Sequence, residues 1–340
     1  MKKYSRLQPI MKMTVVALFT LSLSLGVAIT TADAKREFVR WGGSQPGGLY
    51  FYMVGGLSEL SNAQIPNVNI SNVQSAGSVG NNRLARKGEV DMWFGYGFTA
   101  LESYNGVVTF KGKEPYRDIR MVSGLYTGLF HLITLEKYDM KTLADIEGKR
   151  VCMGGPGSGA AANAGYILGT LGMWDKIKRQ QWSYAACGRG MLDGQSDVLT
   201  PPMAPMAMVI TVEAMRKIKY IEFTDEQMEQ VIAKHPFYSK GIIKAGTYKT
   251  INKDAPALAY QVLWSAQKSM RPELVYNILK VTFDPKNRKR VLAIHPVMAK
   301  LGAKLDLLAA LKIPLHAGAV KYWREQGLTI PPVLIPPEMK

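Results

Sequence analysis

The stretches RWGGSQPGGLYFY, Arg40 to Tyr52, and RVCMGGPGSGAAANAG, Arg150 to Gly165, are two glycine-rich loops lying about a hundred residues apart. Each leads from residues of strand character into residues of helix character. Glycines at such a junction let the backbone turn tightly and approach a ligand, and the helix start behind them offers unpaired N–H groups at its positive end. Two junctions of this kind facing each other clamp an anion. Neither holds the Lys of a phosphate-cradling loop: where that pattern needs Lys and then Ser or Thr after Gly159, the chain has Ala160 and Ala161. The expected guest is a small anion, a carboxylate rather than a nucleotide.

Working outward, Tyr50 to Asn62 predicts a helix with Met53, Leu57 and Leu60 on one face, and VNISNV, Val68 to Val73, alternates as a strand. QSAGSVGNNRLARKG then supplies a small-residue loop, a helix starting near Ser75 or Ser78, and Gly88 as its left-handed stop. A strand follows Asp91. The second half repeats this grammar. Leu143 to Ile146 is a short helix, Arg150 to Met153 a strand, and Ser158 the cap of a helix ended by Gly172. Gly-x-x-Asp recurs at Gly88–Asp91 and Gly194–Asp197, each time between a helix end and a strand. The series predicts an α/β fold of two similar lobes with a cleft between them, ligands lying outside the carboxyl ends of the strands. Strand Leu129 to Glu136 carries the chain from one lobe to the other. Helices are expected at Ala257–Ser269, Pro272–Phe283, Val291–Leu301 and Ala317–Gln326, with the chain finishing in the first lobe.

The chain has 340 residues and a formal net charge of +17. Lys2, Lys3, Arg6 and Lys12 precede an apolar run from Met13 to Ile29 and the small-residue pattern Ala32-Asp33-Ala34, which predicts a signal peptide at 1–34, cleaved after Ala34. Export to the periplasm follows, and the remaining chain carries 39 Lys/Arg against 25 Asp/Glu, a net of +14. That charge is scattered, without a five-residue basic block or a basic stripe interleaved with aromatics, so no nucleic-acid partner is expected. The remaining length, above the ~250–300 residues at which single cores split, predicts two lobes: 35–128, then 129–235, with 236–340 returning to the first. Cys152 and Cys187 are left open as a disulfide or as buried free thiols. His131, His235, His295 and His316 fall in no ligand-like spacing; no metal and no cofactor is expected.

GGSQPGGLYF, QSAGSVGNNRLARKGEVDM, ADIEGKRVCMGGPGSGAAANA and IPLHAGAVKYWRE together resemble the extracytoplasmic solute receptors of tripartite ATP-independent periplasmic (TRAP) transporters of the TAXI type, over roughly Phe38 to Gly327. The resemblance implies a type II periplasmic binding protein fold, two α/β lobes joined by crossing strands. It implies as partner a membrane permease of small and large integral subunits, driven by an ion gradient. It also implies a small carboxylate ligand, such as glutamate or 2-oxoglutarate. Position by position, the first loop matches at Gly43, Gly47, Gly48, Tyr50 and Phe51, with Ser44 and Gln45 able to hydrogen-bond. The AGSV element matches at Ala76, Gly77, Ser78 and Val79, the PGSG element at Pro156, Gly157, Ser158 and Gly159, and Thr200 holds a matching strand end.

Three departures bear on the ligand. Ala160 stands where the family often has Thr, Tyr52 where it has Pro, and Tyr96-Gly97-Phe98 where it has a Gln-Ser-Asp type sequence. A more aromatic lining suits a more apolar or aromatic acid. The duller reading makes Ser78 and Ser158 helix caps, packs Tyr50, Phe51 and Tyr96 inside a lobe, and turns Arg83 to solvent or to the other lobe. The sequence contains no Gly-x-Ser-x-Gly elbow and no nucleophile beside a base. A transport receptor is therefore expected rather than an exported enzyme on a small acid, with the receptor of an ATP-driven (ABC) importer for a small anion as the alternative.

Overall fold

The computed structural model describes residues 36–46 and 48–340. The expected signal peptide and Gly47 lie outside the described residues. In chain order, the first half runs β1 (Glu37–Gly42), α1 (Leu49–Gln64), β2 (Val68–Val73), α2 (Ser78–Arg86), β3 (Met92–Tyr96), α3 (Gly97–Asn105) and β4 (Ile119–Phe130). Next come β5 (Leu132–Leu135), β6 (Arg150–Cys152), α4 (Gly159–Thr170), β7 (Lys178–Gln180), α5 (Tyr184–Leu192), β8 (Val198–Leu199), α6 (Ala207–Glu213) and β9 (Ile218–Ile221). The chain closes with α7 (Asp225–Lys234), β10 (Ser239–Ile243), β11 (Ala255–Gln267), α8 (Pro272–Phe283), α9 (Arg288–Ile294), α10 (Leu305–Ala309) and α11 (Ala317–Glu325).

These elements build two mixed sheets. The first runs β10-β11-β3-β1-β2 with β4 also on β11, and the second runs β7-β6-β8-β5-β9. In the first, β1 lies parallel to β2 and β3, and β11 is antiparallel to β3. In the second, β6 lies parallel to β7 and β8, and β5 is antiparallel to β8. Each sheet is thus a βαβαβ unit with its first strand in the middle and one antiparallel strand beside its third. This is the two-lobed α/β class that the alternation of strands and helices predicts.

The strands that join the lobes differ from expectation. Leu129 to Glu136 is not one strand: β4 ends at Phe130, His131 interrupts it, and β5 begins at Leu132. Ala257 to Ser269 is not a helix but most of β11, which is buried along nearly its whole length. A strand covered on both faces loses the alternation that marks a half-buried one, and its Ala, Leu and Gln content then reads as helix. Pro272 to Phe283 is a helix as expected, with Pro at its first turn where a missing N–H costs nothing. Val291 to Leu301 splits into the end of α9 and a 3₁₀ turn over Pro296–Lys300, because Pro296 cannot continue the ladder.

The first core is aromatic. Trp41 stacks on Trp264 at 4.8 Å, and Phe94 meets both edge-on. A second cluster gathers Ile133, Cys152, Cys187, Leu199 and Val209 with Tyr248 and Ile251, which come from the segment between β10 and β11. Cys152 and Cys187 form a disulfide, so the alternative of free thiols falls away; Cys152 ends β6 and Cys187 lies on α5.

Candidate functional site

The first glycine loop leaves β1 at Gly42 and is held by Gly43 N, which donates to Val73 O at 2.9 Å. Gly48 caps α1 without a side chain, and Ser44 takes over that task, its Oγ accepting from Phe51 N at 3.1 Å. Gln45 is exposed and Phe51 is half-buried. Tyr50 is buried, edge-on to Phe94, and its hydroxyl has no hydrogen-bond partner.

The AGSV element folds onto that loop. Ser75 Oγ donates to Gly43 O at 3.0 Å and accepts from Gly77 N at 2.9 Å. Gly77 holds the α2 cap position at φ 97, a conformation that L side chains rarely adopt. The helix starts at Ser78, one of the two expected places, while the duller reading of Ser78 as the cap gives way to Gly77; its buried Oγ accepts from Tyr96 N at 3.2 Å and keeps its proton for another acceptor. Val79 is buried beside it.

From the other lobe, Ser158 caps α4 as expected, its Oγ accepting from Ala161 N at 3.1 Å. The two loops meet: Gly80 N donates to Gly157 O at 3.3 Å. A Cβ on Gly159 would lie 2.6 Å from both Ser78 Oγ and the Tyr96 ring, so only glycine lets α4 start this close to α2. Gly77, Ser78, Tyr96, Gly157, Ser158 and Gly159 are therefore brought together. Pro156 is exposed at the loop tip, and Arg83 is exposed on the rim beside Gly157. Thr200 is buried, but its hydroxyl turns back to Cys152 O at 3.5 Å. Among the described residues, the amides of Ser78, Val79, Gly159 and Ala160 have no acceptor within the protein.

Three residues that sequence reasoning missed share this place: Tyr126 on β4, Tyr184 at the first position of α5, and Tyr260 on β11. Burial raises the Tyr50, Tyr96, Tyr126 and Tyr260 phenols well above the ordinary tyrosine range and takes Tyr184 to about 12, and the five act on one another. All are neutral O–H groups near pH 7. Tyr260 Oη donates to Pro202 O at 2.6 Å, and its ring lies over Gly128. The sequence held a signal for Tyr184, because it occupies the place in the second βαβαβ unit that Ser78 holds in the first. It held none for Tyr126 or Tyr260, which lie on strands not foreseen.

Behind the loops the lobes touch again. Tyr166 Oη, on α4, donates to the buried Glu102 of α3, and Phe98 stacks on Phe237 at 5.1 Å. Desolvation raises the Glu102 carboxyl, and the hydrogen bonds from Thr109 and Tyr166 oppose that rise. His131, at the break between β4 and β5, is held by Leu129 O at 2.9 Å and Tyr248 Oη at 3.1 Å, and burial lowers it to about 4.

The chain belongs to the NMT1-like family, which it matches over residues 42–327. Among solved structures it is similar to the alkanesulfonate-binding protein SsuA from Xanthomonas axonopodis pv. citri bound to MOPS, at 12% identity over 86% of this chain and 92% of that one, with a TM-score of 0.47. It is similar to the periplasmic binding protein BugD at 12% identity over 85% and 96%, with a TM-score of 0.49. Similarity to MatC from Rhodopseudomonas palustris with bound malate is 12% over 77% and 94%, with a TM-score of 0.47.

Proposed function

We propose that the protein is an extracytoplasmic solute-binding receptor of a TRAP transporter of the TAXI type. In this reading its cleft captures a small carboxylate, glutamate- or 2-oxoglutarate-like or a more apolar or aromatic acid, and delivers it to the membrane permease. The observation that carries the reading is the meeting of two helix starts from different sheets, α2 and α4, with four amides free of protein acceptors and the unpartnered Tyr50 hydroxyl beside them. Helix starts favour anions, and a buried polar group without a partner marks a place where something else completes the bonding. The Ser78 and Ser158 hydroxyls, each accepting from a backbone N–H, have protons left to donate to a carboxylate. Binding across two lobes also couples capture to closure, which is what a delivery step needs.

The test is substitution. With a carboxylate identified by thermal-shift screening, Ser78→Ala and Ser158→Ala should each weaken binding about tenfold by calorimetry, the loss of one hydrogen bond to a charged group. Both variants should stay folded. Unchanged affinity in both would reject the clamp.

A further inference from the structure

Resting on that reading and selecting its more apolar or aromatic acid over the 2-oxoglutarate-like one, we infer that the guest carries a single negative charge, as a monocarboxylate held by backbone amides and uncharged hydroxyls, and that the site excludes dianions. The groups gathered here are the amides of Ser78, Val79, Gly159 and Ala160, the hydroxyls of Ser78 and Ser158, and the phenols of Tyr50, Tyr96, Tyr126 and Tyr184, while the Tyr260 hydroxyl is committed to Pro202 O. None bears a formal positive charge.

Among the described residues, Arg120 is 3% exposed and committed to Glu338 through two bonds of 2.8 Å, and Lys304 is half-buried with its stem against Gly124 of β4. Arg83 is exposed at the rim, where water screens it. Compensation inside the cleft therefore comes from helix ends, about half a charge each at most, so α2 and α4 together match about one negative charge. A second carboxylate, or the second charge of a phosphate ester, would be buried among neutral phenols, where a charge is far costlier than in water. The unpartnered, buried Tyr50 hydroxyl marks the place for an acceptor oxygen and adds no charge.

The experiment uses matched acids on the full mature protein, with benzoate against phthalate and butanoate against succinate, followed by calorimetry. Each monoanion should bind about a hundredfold tighter than its dianionic partner at pH 8. Phthalate should regain affinity as pH falls and it becomes a monoanion, while benzoate stays level over the same range. A dianion binding as tightly as its partner at pH 8 overturns the inference and leaves the receptor reading standing. If none of the four acids binds, the inference and the anion-receptor reading fall together.

Discussion

The two βαβαβ units share a framework and differ in how they lock it. In the first, Arg40 at β1 grips Asp91 before β3, with Nη2 to Oδ1 at 2.8 Å and its own N–H to Oδ2 at 2.8 Å. In the second, Arg150 at β6 grips Asp197 before β8 with the same pair of contacts at 2.7 and 2.8 Å. Ser78, Asn81, Gly88 and Asp91 fall opposite Tyr184, Cys187, Gly194 and Asp197 at one constant offset, and Gly88 and Gly194 share a φ of 69.

The lock itself diverges. Cys187 on α5 is bonded to Cys152 at the end of β6, whereas at the matching place in the first unit Asn81 Nδ2 donates to Gly42 O, Gly43 O and Phe94 O at 3.2, 2.8 and 2.8 Å. The lengths of the strands give the reason. β1, β2 and β3 have 6, 6 and 5 residues, while β6, β7 and β8 have 3, 3 and 2. A short ladder offers few backbone bonds to hold a helix in place, and a covalent tie makes up the difference.

The largest expected effect lies in the second unit. Replacing both cysteines by Ala should cost about 3–4 kcal/mol for a loop of this length, read from denaturant midpoints. Hydrogen exchange should rise around β6 and α5 and stay unchanged around β1 and α2; an equal rise in both units would break the contrast. Asn81→Ala should cost about 2–3 kcal/mol, since three carbonyls lose a buried donor, and it should do so equally with and without reductant.

The smallest effect concerns the ion pairs. The hydrogen bond from the Arg150 side chain holds the Asp197 carboxyl below its ordinary range, with burial opposing. Its folded pKa is depressed, so its contribution is complete above the usual carboxylate value and is lost as pH falls through the lower folded value. Asp197→Asn should therefore flatten the acid limb of the stability curve below about pH 4, by about 1 kcal/mol or less because Arg150 is partly exposed. Asp91→Asn should remove less stability still, as Arg40 and Asp91 are both more exposed than their counterparts. A larger loss from Asp91→Asn would reverse the ranking.

The parallel between units was legible because it rests on residues with local duties. Gly88, Gly194 and Gly172 stop helices in a left-handed conformation that excludes most side chains, and Ser158 caps the helix it precedes. What stayed hidden depends on partners far along the chain. β11 owes its identity to β3, β4 and β10, and nothing within Ala255–Gln267 records them. Tyr126 and Tyr260 were hidden with it, since they sit on β4 and β11. Ser78 was placed near the right spot with a different duty: Gly77 takes the cap, and Ser78 reaches Tyr96 instead.

The bond from Gly80 N to Gly157 O ties the first turn of α2 to the loop before α4. In the proposed receptor, a solute would have to wait for these two segments to part. On the proposed receptor reading, capture would be timed by that parting rather than by diffusion, and loosening the tie would quicken capture and escape alike.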